Sequence, residues 1–194
     1  MRKRVKSPLR TRQRVRIIGG QWRGRRIEFP DTPELRPTPD RVRETLFNWL
    51  QGVIEGSRCL DLFAGSGALG FEAASRGATS VVMVDVNPQV VNHLRRQAVT
   101  LGASQVEVLL ADALGFLRSE PMPFDIIFLD PPFHKTLLAN VTQALEDYRA
   151  LKAGARIYLE MHALADQLVL PASWHALKNQ CAGQVNYQLA IKGR

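Results

Sequence analysis

Asp130-Pro131-Pro132-Phe133 sets a carboxylate, two rigid residues and an aromatic ring side by side. The run before it, Phe124-Asp125-Ile126-Ile127-Phe128-Leu129, is apolar and follows Pro123, which predicts a buried strand. The group therefore projects from a strand end. Proline fixes φ and has no N–H to donate, so the carbonyls here are acceptors on a stiff backbone. Such a corner suits a planar base held by its face, with its amino group held by the edge. Asp130 and the Pro131 carbonyl would accept the amino protons, Pro132 would stiffen the corner, and Phe133 would stack on the ring. Base–aromatic stacking contributes about 1–3 kcal/mol in single-strand binders. Asp and Pro are also ordinary turn residues, so a plain strand-ending turn stands as the alternative.

A second motif is Asp61-Leu62-Phe63-Ala64-Gly65-Ser66-Gly67-Ala68-Leu69-Gly70, which follows Arg58-Cys59-Leu60. It predicts strand, glycine turn, helix. Gly65 and Gly67 allow positive φ and close backbone approach to a ligand. The GxGxxG spacing superficially matches a dinucleotide fingerprint and is weak evidence alone. A further apolar run, Val81-Val82-Met83-Val84, ends at Asp85, 24 residues beyond Asp61. An acid there can accept both hydroxyls of a ribose. It could instead cap a helix, but Asn87-Pro88 fills the cap and first-turn positions better. A third run, Val106 to Leu110, leads to Ala111-Asp112-Ala113. Asp112 can cap the next helix, meet an adenine amino group, or do both.

These ordered elements resemble the class I S-adenosylmethionine-dependent methyltransferases. Two N-terminal elements narrow the resemblance to the RsmD-type bacterial 16S ribosomal RNA guanine-N2 methyltransferases. They are Arg16-Ile17-Ile18-Gly19-Gly20-x-Trp22-Arg23-Gly24-Arg25 and Arg36-Pro37-Thr38-x-Asp40-Arg41-Val42-Arg43-Glu44-Thr45-Leu46-Phe47-Asn48-Trp49. The match runs from about Arg14 to Ile191. It implies S-adenosylmethionine as cofactor, held by Asp61, Phe63, Ala64, Gly65, Ser66, Gly67, Asp85, Asp112 and Ala113. It implies 16S rRNA as partner, presented by an assembled or assembling small subunit, and a monomeric cytoplasmic enzyme. Candidate RNA contacts are Arg10, Arg12, Arg14, Arg16, Trp22, Arg23, Arg25, Arg26, Arg36, Arg41 and Arg43. A DNA amino-methyltransferase, a protein-glutamine methyltransferase and a non-catalytic ribosome-assembly RNA binder are the other readings. No segment is long enough for the separate target-recognition region of the first. The all-basic arm disfavours the second, and intact cofactor and catalytic motifs disfavour the third.

Composition agrees with this outline. At 194 residues and 45% hydrophobic content the chain can bury one sizeable core. The net charge is +8, yet eleven of the 26 basic residues lie within residues 1–26, which hold no acid. The remainder carries 15 basic against 18 acidic residues, so the basic character belongs to an arm. Such blocks often bind polyanions; a transit peptide is the competing reading. Cys59 and Cys181 fall in predicted strands and suit a reducing compartment. No run has membrane-spanning length. His93, His134, His162 and His175 show no ligand spacing, so no metal is expected.

The elements that must position the motifs follow from periodicity and punctuation. Residues 1–13 form a basic arm, and residues 14–39 a hairpin and a proline-rich connector. Strands are predicted at Val15 to Ile18 and Arg25 to Phe29. Trp22, in the loop between, is either a packing staple or a stacking surface. Asp40 is expected to cap a helix from Arg41 to about Ile54, burying Val42, Leu46, Trp49, Leu50 and Val53 and turning Arg41 and Arg43 away. Residues 40–194 form the methyltransferase domain. Helices are expected from Gly67 to Arg76, Pro88 to Leu101, Ala113 to Arg118 and Lys135 to Leu151, with a short one at Ala163 to Leu168. A fifth strand is Arg156 to Glu160, and a hairpin, Trp174 to Cys181 and Gln184 to Ile191, closes the chain. Repeated βα units imply an α/β fold, a mostly parallel sheet with helices on both faces. The resemblance adds seven strands in Rossmann-like order, 3-2-1-4-5-7-6. Gly65 and Asp130 would then share one cleft at the topological switch point.

Overall fold

The computed structural model describes residues 13–29, 37–132, 135–163 and 168–193. Gln13–Arg16 (β1) and Arg26–Phe29 (β2) form an antiparallel hairpin, and Asp40–Trp49 forms α1. Then come Arg58–Asp61 (β3), Ala68–Ser75 (α2), Ser80–Asp85 (β4), Pro88–Leu101 (α3), Val106–Leu110 (β5), Ala113–Arg118 (α4) and Phe124–Leu129 (β6). Lys135–Asp147 (α5), Leu151–His162 (β7), Trp174–Ala182 (β8) and Val185–Lys192 (β9) complete the chain. The large sheet runs β5-β4-β3-β6-β7-β9-β8. Counted within that sheet, this is the expected 3-2-1-4-5-7-6. The first five strands pair in parallel, and only the pairs involving β9 are antiparallel.

Both faces of the sheet are covered. Cys59, Val81, Met83, Ile126, Phe128 and Tyr158 face α1, α2, α3 and the hairpin. Leu60, Val82, Val84, Ile127, Leu129 and Ile157 face α4 and α5. This alternation along nearly continuous apolar strands is what burial on two faces demands. The start of α3 follows the expected chemistry: Asn87 Oδ1 accepts Gln89 N at 2.8 Å, and Pro88 occupies the first turn. No helix among the described residues is long and apolar enough to cross a membrane.

Several boundaries differ from the periodicity. Helix α1 ends at Trp49, because Gln51 N bonds Asn48 O at 3.3 Å and tightens the chain into turns. Val53 is consequently exposed rather than on the buried face. Pro39, not Asp40, sits at the cap position; Asp40 opens the helix and spends its carboxylate on arginines. Helix α5 stops at Asp147, after which Arg149 takes φ 51° and reverses the chain into a β7 that begins early, at Leu151. Residues 164–167 of the expected short helix lie outside the described residues.

The hairpin shares the main core: Val15, Ile17, Trp22, Ile27 and Phe29 are buried with α1–α3. Burying such a side chain contributes about 1.5–3 kcal/mol. Docking is fixed by polar contacts to α2. Glu72, fully buried, accepts Ile18 N at 2.7 Å and Gly19 N at 2.8 Å. Gln21 N donates to Ser75 O at 2.7 Å, and Trp22 N to Ser75 Oγ at 2.9 Å. Gly20 has φ +73°, and a Cβ there would lie 1.8 Å from the Ser75 carbonyl. The Gly19-Gly20 pair is therefore where the hairpin loop meets α2 backbone to backbone.

Candidate active site

The carboxyl ends of β3, β4 and β6 meet at the switch point. Asp61 and Phe128 are Cα partners on β3 and β6, and Asp61 pairs with Met83 on β4. At or just beyond these ends lie the glycine turn, Asp85 and Asp130, and Asp61 is close enough to both acids to feel their charge, so the two motifs separated in sequence are neighbours in space.

The glycine turn is held from below by carboxylates. Asp61, 2% exposed, accepts Gly70 N at 2.9 Å. Burial pushes its carboxyl up to about 7; the Gly70 N–H opposes the rise, and the charges of Asp130 and Asp85 add to it. Asp85 accepts Gly65 N at 2.9 Å and Asn87 N at 2.8 Å. It is thus not idle, as the cap assignment to Asn87 implied, but bridges the turn to the start of α3. Burial raises its carboxyl, and these N–H groups oppose the rise. Ala64 N bonds Val84 O at 2.9 Å and Gly67 N bonds Ala64 O at 2.7 Å. Gly67 is the left-handed cap of α2, at φ 77°, and a Cβ on it would sit 2.7 Å from Leu94 and Phe71. Ser66 Oγ accepts Ala68 N at 3.3 Å, and Phe63 is half-buried against the α4–α5 core. Asp112 caps α4 through Gly115 N at 2.8 Å while remaining exposed, and Ala113 is buried beneath it. Its carboxylate has a second oxygen for a ligand.

This donor set fits a nucleoside with a ribose. A carboxylate offers about four lone-pair sites, so Asp85 keeps acceptor capacity beyond its two backbone bonds. The N–H groups at the start of α2 point where a negative group is favoured. Among the described residues, no group of three or more His, Cys, Asp or Glu is placed to hold a metal ion.

Asp130 is half-buried at the end of β6, Pro131 is buried and Pro132 exposed. Phe133 lies outside the described residues. Burial raises the Asp130 carboxyl to about 6, and the Thr38 hydroxyl, donating to Oδ2 at 3.3 Å, opposes the rise. Thr38 was not singled out from the sequence, although it sits inside the Arg36–Trp49 motif. Its carbonyl accepts Arg43 Nε at 3.2 Å. The segment entering α1 is thereby pinned across the end of β6.

The cationic candidates divide sharply. Arg14, Arg16, Arg23, Arg25, Arg26 and Arg41 are exposed. Arg14 pairs with Glu28 at 3.0 Å and Arg16 with Asp40 at 3.4 Å, both near the surface. Arg14, Arg16 and Arg26 line a cavity of about 400 Å³ together with Thr38 and Pro39, next to the residue that touches Asp130. Arg43 is a correction. It is 1% exposed, and its guanidinium binds Arg16 O at 2.9 Å, Asp40 Oδ1 at 2.6 Å and the buried Glu72 at 3.6 Å. Its partners consume its donors, so it joins hairpin, connector and α2 and presents nothing to a ligand. Trp22, 4% exposed, is a packing staple and not a stacking surface. Arg10, Arg12 and Arg36 lie outside the described residues.

Comparison with known proteins agrees with this geometry. The model of the family described as "Conserved hypothetical protein 95" matches residues 15–191. A protein of Escherichia coli K12 named "Ribosomal RNA small subunit methyltransferase D" is 46% identical over 175 residues, covering 90% of this chain and 88% of its own. A Haemophilus influenzae protein of the same name is 44% identical over 191 residues, covering 96% and 98%. A solved structure described as a putative methyltransferase, yhhF, from Escherichia coli superposes with a TM-score of 0.88 at 42% identity, covering 93% of this chain and 99% of that one. The chain therefore belongs to this family, the RsmD-type methyltransferases, and has their class I fold.

Proposed function

We propose that this chain transfers a methyl group from S-adenosylmethionine to the exocyclic N2 of a guanine in small-subunit ribosomal RNA. The observation that carries the reading is a raised, half-buried carboxylate followed by two prolines, at a strand end beside a glycine turn braced by acids. The relatives' names support rRNA of the small subunit as the substrate. The choice of guanine N2 rests on the family resemblance. A cytoplasmic monomer acting on an assembling subunit is part of the same proposal.

When bound, S-adenosylmethionine supplies an electrophilic methyl group on a sulfonium. Asp85 would hold its ribose, Asp112 its adenine amino group, and the turn Ala64–Gly67 its remaining polar end. A base amine is a weak nucleophile because its lone pair is delocalised into the ring. The chain's task is to hold nitrogen in line with the methyl carbon and to accept the amino protons as positive charge grows on nitrogen. Asp130 and the Pro131 carbonyl take those protons' hydrogen bonds. Stabilisation that grows in the transition state is what raises the rate. The target base must leave its helix or already lie in a loop.

Asp85→Ala should weaken cofactor binding by about ten- to a hundredfold, as expected from losing charge-assisted bonds of about 1.5–3 kcal/mol. Saturating cofactor should restore much of the rate. Calorimetry showing unchanged affinity would leave Asp85 as a brace of the turn only. Residues 1–12 lie outside the described residues, and their role is argued from charge. Deleting residues 1–13 should leave cofactor binding intact and weaken binding to any RNA. If about four of the removed cations neutralise phosphates, the log–log salt slope becomes shallower by about 3. Superimposable slopes for the two proteins would show that the arm makes no phosphate contact. The function itself is tested by incubating the protein with labelled S-adenosylmethionine and small subunits from a strain lacking its gene. Label in N2-methylguanosine supports it; label in another nucleoside, or none, refutes it.

A further inference from the structure

Glu160 is a second acid at the corner that holds Asp130. Leu129 and Leu159 are Cα partners on parallel β6 and β7, and Phe128 and Tyr158 before them. Phe128 and Tyr158 face the α1 side, Leu129 and Leu159 the α5 side. By the alternation of strands, Asp130 and Glu160 come next and turn to the α1 side together. Glu160 is 6% exposed, and its Oε1 accepts the Tyr158 hydroxyl at 2.7 Å. The Thr38 hydroxyl donates to Asp130 at 3.3 Å, and it opposes the rise of the Glu160 carboxyl as well.

Among the described residues, no Lys or Arg forms an ion pair with Asp130 or Glu160. On β7 itself, Tyr158 and His162 share the face of Glu160. On β9, its Cα partner is Tyr187, whose hydroxyl donates to Gln180 Oε1 at 2.7 Å. From β3, Asp61 adds negative charge near Asp130. From α1, Arg43 reaches the Thr38 carbonyl, but Asp40 and Glu72 already pair with it. Two neighbouring carboxyls, one buried and one half-buried, do not readily both ionise.

We infer that Glu160 is a positioning residue for methyl transfer: it shares a single proton with Asp130 and carries that proton itself, leaving Asp130 ionised to face the base amine. Glu160 is the more deeply buried of the two, at 6% exposed against a half-buried Asp130, so burial disfavours its charge more and Glu160 is the one that stays protonated. As the N–C bond forms and the C–S bond breaks, the amine proton then has an ionised acceptor in Asp130. The inference rests on the methyl-transfer reading of this corner.

The test titrates carboxyl-13C glutamate in the full-length protein by NMR, which needs no substrate. One glutamate should titrate far above the ordinary value of about 4.3. That signal should vanish in Glu160→Gln and fall by about one pH unit or more in Asp130→Asn. In activity profiles, the wild-type kcat should decline as Glu160 ionises and draws the Thr38 hydroxyl from Asp130; Glu160→Gln should lack that alkaline limb. Thr38→Val should move the acid limb to higher pH, and Thr38→Ser should restore it. A Glu160 signal near the ordinary value, or one unmoved by Asp130→Asn, would overturn the inference, as would an alkaline limb that persists in Glu160→Gln. If wild-type protein methylates no rRNA, the functional reading fails, while the titration still decides whether the acids share a proton.

Discussion

Asp130→Ala should lower turnover by about a hundred- to a thousandfold and leave cofactor affinity within a few-fold. The expected loss follows from one preorganised hydrogen-bonding group at a charge that develops in the transition state, which costs about 2.7–4 kcal/mol in comparable sites. Cofactor affinity is spared because the residues that would hold the cofactor are on β4, the glycine turn and the start of α4, whereas the Asp130 carboxylate accepts from Thr38. The same residue sets the acid limb of the parent enzyme. An acceptor must be ionised, and burial raises its carboxyl to about 6. The rate should therefore climb as pH rises through about 6, well above the range of an exposed aspartate, and fall as pH drops below it. Steady-state kinetics and cofactor calorimetry on both proteins check this. Turnover within tenfold of the parent would remove Asp130 from its role.

Arg43→Ala should destabilise the fold by about 3–5 kcal/mol, the range found when one partner of a buried ion pair is removed. Domain stability is typically only about 5–15 kcal/mol, so the change would be plain in a denaturation midpoint. Glu72 would lose one cation while keeping Arg76 at 2.7 Å and two backbone N–H groups. The carbonyls of Arg16 and Thr38 would lose their donor outright. The salt slope of RNA binding should not change in protein that remains folded, since Arg43 reaches no surface. An unchanged midpoint with a shallower slope would instead place Arg43 on a phosphate.

What the sequence made legible was local. Strands β3, β4 and β6 are apolar runs that an acid ends or follows, and α3 starts at its own punctuation, Asn87-Pro88. Asp61, Asp85 and Asp130 were visible because they end such runs beside glycine or proline. The order of seven strands came from the resemblance and not from periodicity, which cannot say which runs become neighbours. Arg43 was misread for a related reason. A charged residue next to exposed arginines defaults to the surface, and what buries it is a carboxylate on α2 and two carbonyls before α1, none of them predictable from spacing. Spacing alone does not decide between two roles for Trp22, because its partner, the end of α2, is brought there only by folding. Glu160 carried the same signature as the other acids, closing Ile157-Tyr158-Leu159, but no turn motif followed it to mark the position.

Methyl transfer to a guanine of small-subunit rRNA with Asp130 as the acceptor leaves its mark on the rRNA itself. Mass mapping of that rRNA tests it most directly, in cells lacking the gene and in the same cells supplied with the wild-type or the Asp130→Ala chain. One N2-methylguanosine should disappear with the gene, return with the wild-type chain, and stay absent or strongly reduced with Asp130→Ala. An unchanged methylation map in the deletion strain, or full restoration by Asp130→Ala, would contradict it.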